Sequence, residues 1–324
     1  MLDRRTFVAG LGGATAALWL AGRDARGAEP VRLGYQVNIW GSLSVVALKA
    51  GLFEKQGLSV EGIQAPVGRQ TRDAMVAGRI DFGTFAVPTF LLGAEKGDLV
   101  AVALAGNAGK TVHVLVRPDS PYRSVGELRG KKIATGIGSS TDAVFASRVA
   151  PTFGLTPGSY EAVNTLEPDK VAALVAKQVE ASVSTEPFIA VAEEQGLARS
   201  LVSFEGYDPM PVVLAAGPGV ADKRREATVQ FLRGWIAAAR LFQAEPQRAT
   251  DIMTEVLKER GYTVTPAVVR KALGRFDVKV EMGPEFRAYA IAEAETLLKA
   301  GRIKSMPDWD RTLRRDLFEQ ALKG

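Results

Sequence analysis

From residue 31 onward, short apolar runs alternate with amphipathic stretches, and glycine marks most of the breaks between them. Residues 31–36 alternate like a half-buried strand; after a loop at 37–41, residues 43–50 have helical periodicity and stop at Gly51. Residues 58–63 read as a second strand, after which Gly68-Arg69-Gln70 opens a helix over 71–77. Residues 79–82 read as a third strand that runs into a small-residue turn, 83–89, before a helix over 90–95. Residues 99–105 are almost continuously apolar, as a parallel strand buried on both faces would be. A further strand follows at 112–116. The pattern then restarts at Lys131 with strand, glycine turn and helix through Gly154. A strand near 161–164, a helix at 170–177, a strand at 181–184, the turn 185–188 with its helix, and a strand at 201–204 complete the second set.

Two successive sets of strand-helix units predict two α/β lobes with a cleft between their strand ends. Residues 210–216 form one more strand, and everything beyond is helical in pattern. Val229, Leu232, Ile236 and Ala239 recur at helical spacing, as do Ile291, Ala294 and Leu298. Those faces need a sheet to cover, and the first lobe offers one. The chain is therefore expected to cross out near Val112 and back near Pro211, giving lobe 1 from 28–111 and 208–324 and lobe 2 from 112–207.

Composition narrows the function classes. The chain has 324 residues, 47% hydrophobic and 24% charged, which suits two globular domains. Residues 1–27 read as an export signal: Arg4-Arg5, an apolar stretch over 7–21, and Ala25-Arg26-Gly27 before a cleavage point at Ala28. Asp3-Arg4-Arg5-Thr6-Phe7-Val8 is similar to a twin-arginine motif, and a general secretory signal fits as well. Its removal takes the formal charge from +5 to +3, and no basic run with interleaved aromatics suggests a nucleic-acid surface. Cysteine is absent, which excludes disulfides, thiolate metal sites, a cysteine nucleophile and a lipidated cysteine anchor. A soluble periplasmic monomer without metal or cofactor is expected.

The candidate chemistry lies where strands hand over to helices, because ligands of open α/β sheets bind at the carboxyl ends of strands. Gln36, Trp40 and Gly41 follow the first strand; Trp40 can stack on a ligand or pack under the next helix. Arg69 stands near a second helix mouth, as a ligand cation or as a solvated arginine. Phe85, Val87, Pro88 and Thr89 belong to a third such turn. Ser139, Ser140 and Thr141 offer hydroxyls and unpaired helix N–H groups, either as an ordinary cap or as a seat for an acidic head group. Of these mouths, that one alone has three consecutive hydroxyl residues, so it is expected to hold the acid while Trp40 and Phe85 touch the organic tail. His113 is the single histidine, and its place inside an alternating run points to a structural role.

Six stretches carry a family resemblance: VRLGY at 31–35, ALKAGLFEKQGL at 47–58, AMVAGRIDFG at 74–83, VGELRGKK at 125–132, GSST at 138–141 and TEPF at 185–188. Together, in this order, they resemble the sulfonate, nitrate and taurine branch of ABC-transporter substrate-binding proteins. The resemblance implies the type II periplasmic-binding-protein fold, in which each lobe receives one strand from the chain just after a crossover. It further implies a small organic anion or zwitterion held between the lobes, on the loops matching 36–41, 87–89, 138–141 and Glu186, and delivery to an ABC permease in the membrane. Glu186 departs from an anion site: facing the cleft it would oppose a bare anion, and at a strand end it would be structural.

Two other classes share this fold. One is an enzyme that makes a thiamine pyrimidine from its own histidine, which would require His113 in the cleft. The other is the effector part of a transcription regulator, which would require a DNA-binding helix pair where this chain carries an export signal. A binding protein for a pyrimidine or an aromatic acid is the remaining alternative within the transport reading.

Overall fold

The computed structural model describes residues 30–167 and 169–323; the export-signal reading of 1–27 lies outside them. Among the described residues ten strands form two five-stranded sheets. The first has the order β2-β1-β3-β10-β4, from Val60–Gln64, Val31–Tyr35, Phe82–Ala86, Pro211–Ala216 and Val100–Asn107. The second has the order β7-β6-β8-β5-β9, from Glu161–Asn164, Lys132–Thr135, Ala181–Thr185, Val112–Val116 and Arg199–Ser203. In both sheets a parallel set is joined by one strand of opposite direction: β10 lies antiparallel between β3 and β4, and β5 antiparallel between β8 and β9. Each of these two strands comes directly after a crossover, and both are buried along their whole length, hence their apolar sequence, interrupted in β5 only by His113.

The two crossovers are paired with each other. Ala108 N–H donates to the Met210 carbonyl and Gly109 N–H to the Pro209 carbonyl, at 3.0 and 2.9 Å. Gly109 is required there, because a Cβ would lie 2.2 Å from the Asp208 carbonyl oxygen.

In lobe 1, α1 (Ser42–Lys49), α2 (Gly68–Val76) and α3 (Val87–Ala94) each follow a parallel strand. Lobe 2 repeats this with α4 (Ser140–Val144), which runs through a wider turn at Phe145–Val149 into α5 (Ala150–Thr152), then α6 (Asp169–Val175) and α7 (Phe188–Glu194). After β10 come α8 (Pro218–Lys223), α9 (Arg225–Ala244), α10 (Pro246–Glu259), α11 (Pro266–Gly274), α12 (Pro284–Lys299), α13 (Trp309–Thr312) and α14 (Arg315–Leu322).

The C-terminal helices cover both faces of the first sheet. On one face Phe231 of α9 stacks on Phe82 with ring centroids 4.1 Å apart, and Trp235 donates its indole N–H to the Leu104 carbonyl at 2.8 Å. On the other face Phe286, Ala290 and Ala294 of α12 join Val87, Phe90 and Leu91 of α3. The edge of β4 is covered too: Asn107 pairs with Asp277 and Ala101 with Leu313, which removes an open strand edge.

Two sequence expectations shift. The third strand is Phe82–Ala86 rather than 79–82, so residues 83–86 belong to the sheet and not to a turn; β10 pairing along Ala86 to Phe82 extends the strand. Phe85 consequently lies in the packed interior, 2% exposed, with its Cβ 2.8 Å from where a Cβ on Gly68 would stand. In α12 the buried stripe runs Phe286, Ala290, Ala294 and Leu297, whereas Leu298 is exposed, because packing on α3 selects a face one position round the helix.

Candidate functional site

The parallel strands β1, β2, β3 of lobe 1 and β6, β7, β8 of lobe 2 end at helix starts. The lobe 1 starts have side chains without acid. α2 and α3 begin at Val67 and Ala86, residues that cannot cap with a side-chain oxygen, and α1 begins at Gly41 after a short 3₁₀ turn capped by the neutral amide of Asn38. No acidic residue stands in the first turn of any of the three. Backbone N–H groups at such ends attract anions through their own unsatisfied hydrogens and the helix dipole. Arg69, exposed in the first turn of α2, adds a full positive charge.

Other predicted residues hold this region in shape. Gln36 is 6% exposed and donates its amide to the Thr71 hydroxyl at 2.9 Å, tying the end of β1 to α2. Trp40 is half-buried; its indole N–H donates at 2.7 Å to the hydroxyl of Thr111, which in turn donates to the Ala108 carbonyl on the first crossover. Its ring face, not its N–H, is therefore what it can offer a ligand. A Cβ on Gly41 would lie 1.9 Å from the Gln36 carbonyl oxygen, so this turn closes only with glycine. Val87 is sealed, while Pro88 and Thr89 are half-buried in the first turn of α3. The Ser42 hydroxyl at the start of α1 is buried and makes no protein hydrogen bond.

The lobe 2 starts are filled by the protein's own acids. Ser139 caps α4 by accepting the Asp142 N–H at 3.2 Å, and the Asp142 carboxylate reaches back to the Gly138 N–H at 3.0 Å. This is close to the capping box of a hydroxyl and an acid three residues on, with the acid taking the N–H one residue before the cap. The Ser139 and Thr141 hydroxyls bond each other at 2.9 Å. Much of the donor set foreseen for an acidic head group is thus occupied, and the Asp142 charge opposes another anion there. Ser140, half-buried beside it, remains.

The Glu186 carboxylate is engaged by the protein's own donors. It is 1% exposed, accepts the Ala190 N–H of α7 at 3.1 Å, and is ion-paired with Arg275, which follows α11 of lobe 1. Burial pushes its carboxyl above the ordinary value and Arg275 pulls it back. Arg275 also reaches Glu193 at 2.8 Å, and Lys271 joins it at 2.8 Å. Arg148 of lobe 2 pairs with Asp208 and Glu293 and lies 5.2 Å from the Tyr289 ring centre. Each lobe therefore inserts one arginine between acids of the other. These links join residues 60 to 145 positions apart, and no local sequence signal announces them. Asp142 was legible, three residues after the serine cap.

His113 has both ring nitrogens engaged, Nε2 with the Lys110 carbonyl at 3.0 Å and Nδ1 with the Ser200 hydroxyl at 2.9 Å. Burial, helped by the nearby Arg275 charge, lowers its pKa to about 4, so it is neutral near pH 7. Among the described residues no group of His, Asp and Glu has metal-binding geometry, and no helix is long and apolar enough to cross a membrane.

Comparison with known proteins adds three relatives. A protein of Escherichia coli (strain K12), provisionally named an aliphatic sulfonates-binding protein, is 30% identical over 177 residues, 53% of this chain and 54% of its own. The crystal structure of the periplasmic aliphatic sulphonate binding protein SsuA from Escherichia coli superposes with a TM-score of 0.78 at 22% identity, over 89% of this chain and 92% of that one. The desulfurization enzyme DSZB has the same fold at 14% identity and a TM-score of 0.65, over 90% of this chain and 99% of its own. The profile of the NMT1/THI5 like family matches residues 42–249, from α1 through the second lobe and into α10, and the chain belongs to that family.

Proposed function

We propose that this protein is the solute-binding component of an ABC importer and works outside the cytoplasmic membrane, where it captures a small organic anion of the sulfonate type and delivers it to a membrane permease. The observation that carries the reading is the acid-free set of helix starts in lobe 1, with Arg69 among them, at the carboxyl ends of three adjacent parallel strands. The names of the sulfonate-binding relatives support the ligand class. In this reading the acidic head sits on lobe 1, at α2 and α3, with Arg69 supplying the charge. Ser140 approaches from lobe 2 when the lobes close, and the ring of Trp40 flanks the ligand. A ligand that touches both lobes stabilises the closed form and so shifts the population toward it.

An enzyme that consumes its own histidine is a poorer fit, because His113 is 7% exposed and both its nitrogens are already bonded. Calorimetric titration of the purified chain with alkanesulfonates, taurine, nitrate and carboxylates tests the proposal. We expect saturable one-to-one binding of at least one organic sulfonate and no product by mass spectrometry. Failure of every anion to bind, or turnover of a bound one, would overturn it. Export is tested separately by fractionation: the chain is expected in the periplasm, shortened near Gly27.

A further inference from the structure

A cavity of about 390 Å³ lies where Lys110 of the first crossover meets the end of α9, the start of α10 and the end of α11. Its volume falls inside the range of roughly 300–1,000 Å³ usual for small-molecule sites. Phe242 and Phe276 line it with their rings, together with Ala249 and Leu273, and all but the half-buried Phe242 are fixed in the core. The charged residues of the lining are Lys110, Arg270 and Asp277. Lys110 is paired with Glu205 at 2.9 Å, and the Asp277 carboxylate accepts the Asn107 amide at 3.1 Å. Among the described residues Arg270 bonds only the neutral amide oxygen of Gln247. A guanidinium without an acid, beside aromatic and aliphatic walls, suits the planar anion that its fork matches, a carboxylate. Two cations against one acid favour a single negative charge, since a second would be opposed by Asp277.

The cavity also lies on the joint between the lobes. Its α9 and α10 walls belong to the helices that cover the lobe 1 sheet, whereas the facing wall is tied to lobe 2. Glu205 holds Lys110, Glu193 holds Lys271 of α11 at 2.8 Å, and Glu186 and Glu193 hold Arg275, which stands between the lining residues Gly274 and Phe276. A molecule that fills the space between these walls therefore fixes one setting of the joint.

We propose that this cavity is a second ligand site, for an aromatic monocarboxylate, and that its occupancy is linked to the setting of the two lobes. The carboxylate sits on Arg270 and the ring packs on Phe242 and Phe276, where aromatic contact adds to the burial of apolar area. By thermodynamic linkage, a change that loosens the joint alters affinity here, and an occupant here alters the joint. The inference goes beyond the sulfonate reading and does not depend on it.

The test is fluorescence titration with 2-naphthoate. The native chain should bind it saturably, and Arg270→Gln should weaken binding at least tenfold, as loss of a hydrogen bond to a charged group does. Gly274→Phe should abolish binding by filling the cavity. Gly274 is exposed, its φ lies outside the left-handed region, and a Cβ there meets no neighbouring atom within 4 Å, so this variant is expected to fold, which circular dichroism checks. Glu193→Gln, outside the lining, frees Lys271 and one side of the Arg275 pairing and should weaken binding at least threefold. Arg69→Gln should leave 2-naphthoate affinity within twofold. No binding by the native chain, or binding that survives either Arg270→Gln or Gly274→Phe, overturns the site. Loss of binding in Arg69→Gln moves 2-naphthoate to the lobe 1 helix starts and overturns it too. Unchanged or tighter binding in Glu193→Gln overturns the link to the lobes. Sulfonate titration of the same samples judges the proposed function separately.

Discussion

The two lobes share one strand-helix plan and differ in what fills their helix starts. Lobe 1 begins α1, α2 and α3 at Gly41, Val67 and Ala86, with no acid in the first turns. Lobe 2 places Asp142 on the Gly138 N–H before α4 and Glu186 on the Ala190 N–H of α7. The backbone offers anion-seeking N–H groups in both cases, so the fold alone does not say which lobe receives the ligand. The side chains differ: where an internal carboxylate satisfies the helix start those donors are taken, and where none does they stay available. A hydroxyl-rich start such as Ser139–Thr141 thus carries its own cap, while in the proposed reading the chemically plainer lobe 1 starts are the anion seats.

The strongest way to strain this contrast is to unplug lobe 2. Arg275→Ala leaves Glu186 buried without its cation and should destabilise the fold by about 3–5 kcal/mol, the usual cost of breaking one side of a buried pair. Urea denaturation measures it, and a loss below about 1 kcal/mol would return Glu186 to the ligand. Next in size is the pH response of His113, which only lobe 2 carries. Its folded pKa of about 4 lies below the ordinary 6.5, so the unfolded state binds the proton first. Stability from this residue is complete above pH 6.5 and is lost as pH falls toward 4, by about 3 kcal/mol in total. His113→Asn should flatten thermal stability over that window; an unaltered profile would deny the buried neutral state.

On the ligand side, Arg69→Gln should weaken anion binding by about 1.5–3 kcal/mol, the value of a hydrogen bond to a charged group. The double change Ser140→Ala with Thr141→Ala should cost less than about 1 kcal/mol, since Thr141 already bonds Ser139. The reverse ranking by calorimetry would restore the acidic head to lobe 2. The smallest effect has the opposite sign: Asp142→Asn removes a charge from the start of α4 and should improve anion affinity by about 0.3–1 kcal/mol. Weaker binding in that variant would mean that Asp142 orders the loop the ligand needs.

Much of the architecture could be read from pattern because local rules and packing agree. The runs of β4, β5 and β10 are apolar but for Asn107 and His113 since both faces of these strands are covered, and the helical spacing of Val229, Leu232 and Ile236 marks the face of α9 that packs on the sheet. Strand β3 was displaced because Gly83-Thr84-Phe85-Ala86 has the small-residue look of a turn, and only pairing with β10 makes it a strand. One candidate side chain moved with that strand. Phe85 looks like a ligand aromatic in a supposed turn; once in a strand, its alternation sends it into the core.

By itself the sequence determined that there are two α/β lobes joined by crossovers and that the Ser139–Thr141 turn can cap a helix, because each depends on neighbours in the chain or on a repeated period. Only the tertiary structure decided that Glu186 belongs to Arg275, that Arg148 belongs to Asp208 and Glu293, and that the Trp40 N–H is spent on Thr111. Those pairings join residues between 60 and 145 positions apart. A charged side chain reads the same in sequence whether solvent or a distant partner neutralises it, and burial chooses between the two, since an acid withdrawn from water must find a donor wherever the fold brings one.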